Sequence, residues 1–253
     1  MSGHSKWATT KHQKAAKDKV RGKLFAKLIR QIEVAAREGG GDPAANATLR
    51  TMVEKARDAS VPLDTIDRAI KRGTGELEGV TYVAATYEGY APNGVAVIAE
   101  VLTDNRNRAG SEIKNIFTRN GGSLAEPGAV AWQFHRKGVM IVDKTSGVSE
   151  DDLMMAALEA GAEDVADQGD TWQVTTEPGD FNAVRTALEE AGVPMASADL
   201  TLLPTTAVPL EKEADARKVL RVIDALEDHD DVQKVHANFD IPEEIMEKVV
   251  AAG

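Results

Sequence analysis

Apolar residues recur at helical spacing through the N-terminal part of the chain, and this period predicts three α-helices. The first spans 18–37 and is stopped by a run of three glycines. The second begins at Asp42-Pro43, because Asp favours the N-cap and Pro the first helical position. The third is short, begins at Pro62 and ends near Gly73. Three helices with short connections predict a small helical domain.

Further along the chain the pattern changes to runs rich in β-branched and aromatic residues. The runs 80–90 and 95–102 flank a turn sequence at 91–94 and therefore predict a β-hairpin. A helix follows, with Ile113 and Phe117 on one face. The remaining predicted elements are, in chain order, strand 130–135, strand 139–142, helix 150–160, strand 171–175, helix 181–191, strand 198–203, helix 214–227 and strand 232–238.

Strands that alternate with single helices are typical of α+β domains with helices on one sheet face. The run 130–203 closes as one such unit, whereas 80–122 needs the late helix and strand to complete its sheet. We therefore expect an α+β multidomain protein in which an N-terminal three-helix domain is followed by two α+β domains, the third inserted into a discontinuous second. The expected domains are 1–78, 79–129 with 206–253, and an inserted, ferredoxin-like domain at 130–205.

The composition is that of a globular protein without disulfides. Of the 253 residues, 42% are hydrophobic, 28% are charged and none is cysteine, which excludes disulfides and thiolate metal sites and suits a reducing cytosol. The basic N-terminus is not followed by the apolar stretch of a signal peptide. No segment reaches the about 18 uninterrupted apolar residues that a membrane span requires. We expect a cytoplasmic monomer that does not contact a membrane.

The charge is distributed unevenly along the chain. Residues 1–30 contain nine Lys or Arg and one acid, a net charge of +8, so the other 223 residues carry −19 of the total of −11. An acidic body repels polyanions, and any nucleic-acid contact is therefore directed to the basic end. Nucleic acid, DNA or ribosomal RNA, is the partner that this asymmetry favours.

The first helix carries its cations on one side. At about 100° per residue, Lys23, Lys27 and Arg30 share a narrow stripe opposite the apolar face. A helix that docks by its apolar face would present these three cations together to solvent. The nucleic-acid contacts predicted from this segment, including one aromatic ring that could stack on a base, are Lys6, Trp7, Lys11, His12, Lys14, Lys17, Arg21, Lys23, Lys27 and Arg30. The alternative is a solvated basic tail.

A second cationic site lies between a strand end and the helix that follows the hairpin. Two arginines near a helix N-terminus work against the helix dipole, so another interaction should favour them. Phosphate or RNA contact by Asn105, Arg106 and Arg108 is one interpretation. The alternative is local, in that Asp104 pairs with an arginine and caps the helix.

No arrangement of residues indicates catalysis or metal binding. Gly73-Thr74-Gly75 lacks the spacing of a phosphate loop, and the five histidines are scattered rather than paired at metal spacing. The acidic run 227–231 could hold a divalent ion, but at the end of a helix a solvated loop is the simpler interpretation. We therefore expect no enzymatic activity, no cofactor and no metal.

Several stretches resemble a known family over nearly the whole chain. They are Gly3-His4-Ser5-Lys6-Trp7, Gly40-Gly41-Asp42-Pro43, Arg68-Ala69-Ile70-Lys71-Arg72-Gly73, Tyr87-Glu88-Gly89-Tyr90 and Leu102-Thr103-Asp104-Asn105-Arg106-Asn107-Arg108. Together they resemble the YebC/PmpR family. The resemblance implies three domains, one inserted in another. It also implies a gene-expression function: bacterial members are described as probable DNA-binding transcriptional regulators, mitochondrial relatives as translational activators, and bacterial relatives have been tied to ribosomes stalled on proline-rich sequence.

Two functions remain open at this point. A transcriptional regulator would place Lys23, Lys27 and Arg30 on the phosphates of duplex DNA, whereas a translation factor would use the same cations on ribosomal RNA. Contacts to phosphates depend on charge alone and do not distinguish the deoxyribose of DNA from the ribose of RNA. The resemblance favours the DNA-binding regulator. Replacing the three cations together by alanine is expected to abolish binding and leave the fold intact.

Overall fold

The computed structural model describes the backbone of residues 17–251 and the side chains of 22–242 and 244–249. These residues form two compact units, of which one is 132–207 and the other contains the residues before and after it. Helices come first along the chain and sheets follow, so the predicted α+β fold class is confirmed. Within the described residues no helix is long and apolar enough to cross a membrane.

From residue 17 onward, the N-terminal part of the larger unit consists of three helices: α1 (Lys17–Gly39), α2 (Ala47–Asp58) and α3 (Leu63–Thr74). Their facing sides build one apolar core, which is contributed mainly by Leu28, Ile32, Ala35, Ala36, Leu49, Val53, Ala56, Ile66 and Ala69. Leu24, which the helical pattern assigns to the apolar face of α1, is 45% exposed. The contacts of α1 with this core therefore begin at Phe25, which is partly buried against it, and not at Leu24.

The side chain of Asn46 connects the end of α1 to the start of α2 through three hydrogen bonds. The buried amide of Asn46 donates to the carbonyl oxygens of Ala35 and Gly40 at 2.8 and 2.9 Å, and its oxygen accepts from the N–H of Leu49 at 3.0 Å. Asn46 is thus the N-cap of α2, and the predicted start at Asp42-Pro43 is wrong. Asp42 instead accepts from the N–H of Ala44 in a local turn.

Gly73 lies in the last turn of α3, and the predicted end of this helix near Gly73 is confirmed. A Cβ atom at Gly73 would lie 2.5 Å from the carbonyl oxygen of Glu33 on α1, so only glycine allows the two helices to approach this closely. Glu33 itself is buried and receives the guanidinium of Arg72 at 2.6 Å. The helix ends one residue later, with Gly75 in the left-handed conformation at φ 84°.

The remainder of the larger unit contains a four-stranded antiparallel sheet covered by helices on one face, and a separate parallel pair of two-residue strands. Its elements are β1 (Val83–Tyr90), β2 (Ala96–Thr103), α4 (Arg106–Arg119), β3 (Ser123–Leu124), β8 (Val208–Pro209), α7 (Glu213–Glu227), β9 (Val232–Ala237), β10 (Phe239–Asp240) and α8 (Glu243–Ala251). The sheet order is β3-β1-β2-β9, with β1 and β2 joined as the predicted hairpin. Phe117 of α4 and Ile223 of α7 are fully buried against Val97 and Val235 of the sheet.

The unit 132–207 contains β4 (Phe134–Asp143), α5 (Glu150–Glu159), β5 (Ala162–Asp167), β6 (Thr171–Thr176), α6 (Phe181–Glu190) and β7 (Met195–Pro204). This β-α-β-β-α-β sequence forms an antiparallel sheet of order β5-β6-β4-β7, the topology of ferredoxin-like units. Leu153 and Val184 of the helices pack with Met140 and Val174 of the sheet in one core.

Some predicted elements differ from the structure. The strands expected at 130–135 and 139–142 are replaced by one strand, β4, which begins only at Phe134 because Ala131–Gln133 form a 3₁₀ turn. Arg136 and Lys137 keep their extended pairing with β7, so β4 is not interrupted between the two predicted strands. The polar sequence of β5 and the short helix α8 were not predicted at all. β5 is an edge strand in which apolar and polar residues alternate only weakly. Its pairing with β6, and not its composition, makes it a strand.

A buried carboxylate anchors the segment that leaves the larger unit. Both oxygens of Glu88 on β1 accept backbone N–H groups, from Gly128 at 2.6 Å and from Val130 and Ala131 at 2.8 Å. Burial alone would raise the pKa of Glu88, but these three hydrogen bonds outweigh it and lower the pKa below the ordinary value of 4.5.

Glu88→Gln is expected to lower the free energy of unfolding by about 2 kcal/mol. The substitution replaces one accepting carboxylate oxygen by an amide NH₂ group, which cannot accept a hydrogen bond from the backbone N–H groups that it faces. Since the folded pKa is lowered, the wild-type contribution is present above pH 4.5 and is lost as the pH falls through the lowered value. Urea unfolding of both proteins at neutral and acidic pH measures this. Glu78→Gln, at an exposed position, is the control. Equal stabilities with equal pH dependence would contradict the anchoring role.

Candidate nucleic-acid interface

The cationic stripe of α1 lies against the C-terminal end of α7. Lys23 Nζ donates to the carbonyl oxygen of Asp228 at 3.0 Å and to its carboxylate at 2.8 Å. Lys27 Nζ donates to the carbonyl oxygen of Glu227 at 2.9 Å. Arg30 donates to the carbonyl oxygen of Asp230. One cation per helical turn of α1 thus contacts the segment 227–231.

These contacts follow from the electrostatics of a helix end. The last carbonyl groups of an α-helix have no partner within the helix and carry partial negative charge, so cations stabilise that end. Three carboxylates at 228, 230 and 231 add to this charge. The expectation that the stripe faces solvent is therefore corrected: the side chains of Lys23 and Arg30 are only 31% and 19% exposed.

Asp231 is the most deeply buried acid of this segment, with 4% of its side chain exposed. Its Oδ1 receives Arg30 of α1 at 3.0 Å, and its Oδ2 receives Arg108 of α4 at 2.7 Å and the hydroxyl of Thr103 at 2.8 Å. Burial would raise the pKa of Asp231, but the hydrogen bonds of Arg108 and Thr103 and the charges of both guanidiniums lower it. Asp231 stays ionised and joins α1, β2 and α4.

Further contacts surround the junction that Arg30, Thr103, Arg108 and Asp231 form. His229 Nδ1 accepts the N–H of Asp231 at 3.1 Å, which leaves Nε2 to interact with Glu112 of α4 at 2.8 Å. The amides of Gln31 and Gln233 meet at 3.2 Å. An open cavity of about 470 Å³ lies beside the junction and is lined by Arg30, Arg108, Glu112, Asp228, His229, Asp230 and Asp231.

The second predicted site forms the start of α4. Asn105 is the N-cap, and its side-chain oxygen accepts the N–H groups of Asn107 and Arg108 at 3.1 Å each. Arg108 pairs with Asp104 at 2.9 Å, in addition to Asp231, so the local alternative for this arginine is present in the structure. Arg106 donates to the carbonyl oxygen of Ala84 at 2.7 Å from an exposed position. These contacts account for both arginines without a ligand.

Part of the predicted site lies outside the described residues. This applies to Lys6, Trp7, Lys11, His12 and Lys14, and to the side chains of Lys17 and Arg21, whose backbone belongs to α1. The structure brings Lys23, Lys27, Arg30 and Arg108 together around the segment 227–231 and places Arg106 on the other side of the α4 start, on β1.

Sequence reasoning missed the segment 227–231 as the partner of the stripe. The sequence favours a solvated loop there, whereas four of its residues accept hydrogen bonds from side chains of α1. The signal that could have found it is charge complementarity, since a run of four acids and a stripe of three cations occur in one chain. About 200 residues separate them in sequence, so no local pattern links the two.

Comparison with known proteins identifies the family of this chain. Residues 5–76 match the family model described as the TACO1/YebC protein N-terminal domain, and residues 82–239 match the TACO1/YebC second and third domain. The chain belongs to the TACO1/YebC family. The resemblance to YebC proteins seen in the sequence motifs is confirmed.

Members of the TACO1/YebC family from several bacteria are similar to this chain over their full length. A protein of Beutenbergia cavernae is 59% identical over 97% of this chain and 98% of its own length. One of Salinispora arenicola is 57% identical over 98% and 100%. Both carry the name "Probable transcriptional regulatory protein". A crystal structure of a conserved hypothetical protein from Aquifex aeolicus is 48% identical, covers 92% of this chain and 95% of its own, and superposes with a TM-score of 0.82.

Arg30→Ala is expected to lower the free energy of unfolding by about 3 kcal/mol, because it leaves the buried Asp231 with one guanidinium fewer. Lys23→Ala removes an exposed pair and is expected to cost less than about 1 kcal/mol. Urea unfolding of the two variants measures the difference. Equal losses would contradict the distinct roles of the two cations. The alanine replacement of all three cations is therefore not expected to leave the fold intact, in contrast to the expectation from sequence.

Proposed function

We propose that this protein is a regulator of gene expression that binds duplex DNA through the basic N-terminal end of the chain. The observation that carries the proposal is the separation of charge, with +8 in residues 1–30 and −19 in the remainder. Such a distribution attracts the phosphate backbone to one end and repels it from the rest of the surface. The name of the bacterial relatives, probable transcriptional regulatory proteins, supports regulation as the purpose of this binding.

The contacts of the described cations indicate which of them are available to bind phosphates. Arg30 and Arg108 neutralise the buried Asp231 and are needed there. Lys23 and Lys27 make contacts that are open to solvent or only partly buried, so phosphate oxygens can compete for them. We assign the phosphate contacts of α1 to Lys23 and Lys27, together with the cations that precede them in the sequence.

This mode of binding positions the protein on the phosphate backbone and does not by itself read bases. Lysine presents a compact point charge with rotatable donors, which suits phosphate contact without a fixed geometry. The affinity is therefore expected to fall steeply with salt and to vary little with the base sequence. The proposal contains no catalytic step and places the protein in the cytoplasm as a monomer.

A competition experiment at physiological salt tests the proposed partner. Labelled protein is offered a DNA duplex, and purified ribosomes are titrated against it, then the reverse. We expect the protein to stay on the duplex in the presence of competing ribosomes. Retention on ribosomes in the presence of excess duplex would replace the proposal with a translation function. Binding to neither would contradict a nucleic-acid function altogether.

A further inference from the structure

The segment 227–231 is held differently at its two ends. At one end, Asp231 is 4% exposed and accepts hydrogen bonds from three side chains. At the other end, the side chain of Asp228 is 77% exposed and its carboxylate meets Lys23 at 2.8 Å. The first end is a buried structural junction, and the second is an ion pair at the surface.

The contacts at the exposed end resemble those that a phosphate group would make. Lys23 donates to a carboxylate oxygen at 2.8 Å and to a carbonyl oxygen at 3.0 Å, and Lys27 donates to a carbonyl oxygen at 2.9 Å. Phosphate oxygens are anionic acceptors of the same kind and bind lysine at similar distances. An ammonium group that donates to Asp228 has fewer donors left for a phosphate. The two acceptors therefore compete for the same side chains.

At the exposed end of the segment, this competition favours the phosphates of a nucleic acid over Asp228. An exposed ion pair contributes little and is weakened by screening, whereas a nucleic acid offers many phosphates and gains the release of its counterions on binding. The buried pairs of Asp231 are not replaced in this way, because separating them would leave an uncompensated charge in the interior. The exposed end can exchange its partner while the buried end keeps α1 in place.

We propose that Asp228 and the carbonyl groups of 227 and 228 form an intramolecular latch, which occupies the phosphate-binding lysines Lys23 and Lys27 of α1 and must be displaced by a nucleic-acid phosphate. Asp231 is the fixed anchor of this latch. The proposal rests on the proposed function and adds its regulation: the chain carries its own competitor for the polyanion, so the measured affinity is lower than the two lysines alone would give.

A matched pair of variants tests the latch. Asp228→Asn and Asp230→Asn each remove one exposed negative charge from the same segment. Only Asp228 pairs with Lys23, whereas among the described residues the carboxylate of Asp230 has no hydrogen bond or ion pair. Fluorescence anisotropy with a labelled DNA duplex at low salt gives the affinities. We expect Asp228→Asn to bind about two- to fourfold more tightly than Asp230→Asn.

A double-mutant cycle with Lys23→Ala separates the latch from a general electrostatic effect. If Asp228 acts by occupying Lys23, Asp228→Asn brings no gain beyond that of Asp230→Asn once Lys23 is alanine. Equal gains from the two asparagine variants in the wild-type background would overturn the latch. So would a gain from Asp228→Asn that persists undiminished in Lys23→Ala.

Failure of the latch and failure of the proposed function give different results. A wild-type protein that does not bind the duplex contradicts the proposed function before any variant is compared. A wild-type protein that binds, with Asp228→Asn and Asp230→Asn indistinguishable, keeps the function and removes the latch. Urea unfolding of both variants serves as the folding control, and we expect wild-type midpoints because both positions are exposed.

Discussion

The carboxylate of Asp231 receives hydrogen bonds from side chains of three different elements: Arg30 of α1, Thr103 at the end of β2 and Arg108 of α4. A buried carboxylate without such partners would be strongly unfavourable, so the three elements are constrained to meet at this point. This constraint sets the position of α1 along the C-terminal end of α7. The placement of Lys27 and Lys23, about one and two turns before Arg30 on α1, follows from it.

The arginines and the lysines near Asp231 have different roles. Arginine is suited to a buried carboxylate because its planar guanidinium offers several donors and keeps its charge, and both arginines at the junction serve Asp231. Lys23 and Lys27 of α1 donate to carbonyl oxygens and an exposed carboxylate, which hold them weakly. In this strongly acidic chain, acids of the segment 227–231 are thus the partners of cations in the basic N-terminal part.

Helical spacing and turn chemistry predicted the elements that depend on local sequence. The helix α1 and the hairpin of β1 and β2 were found within a few residues of their bounds, because their patterns are long and regular. Elements that depend on distant partners were missed, such as the edge strand β5. For the candidate site, the helical wheel grouped Lys23, Lys27 and Arg30 correctly. It could not show that the facing surface is the acidic segment 227–231, which is brought there by tertiary packing alone.

The central claim is that Lys23 and Lys27 contact phosphates, and the salt dependence of duplex binding tests it most directly. The slope of log affinity against log salt reports the number of neutralised phosphates, at about 0.9 per contact for B-form DNA. For Lys23→Ala/Lys27→Ala the account predicts a slope that is smaller in magnitude by about 1.8. Arg217→Ala/Lys218→Ala is the control, because these two cations of α7 also form exposed ion pairs, and its slope should equal that of the wild type. A wild-type slope in the lysine variant would contradict the account.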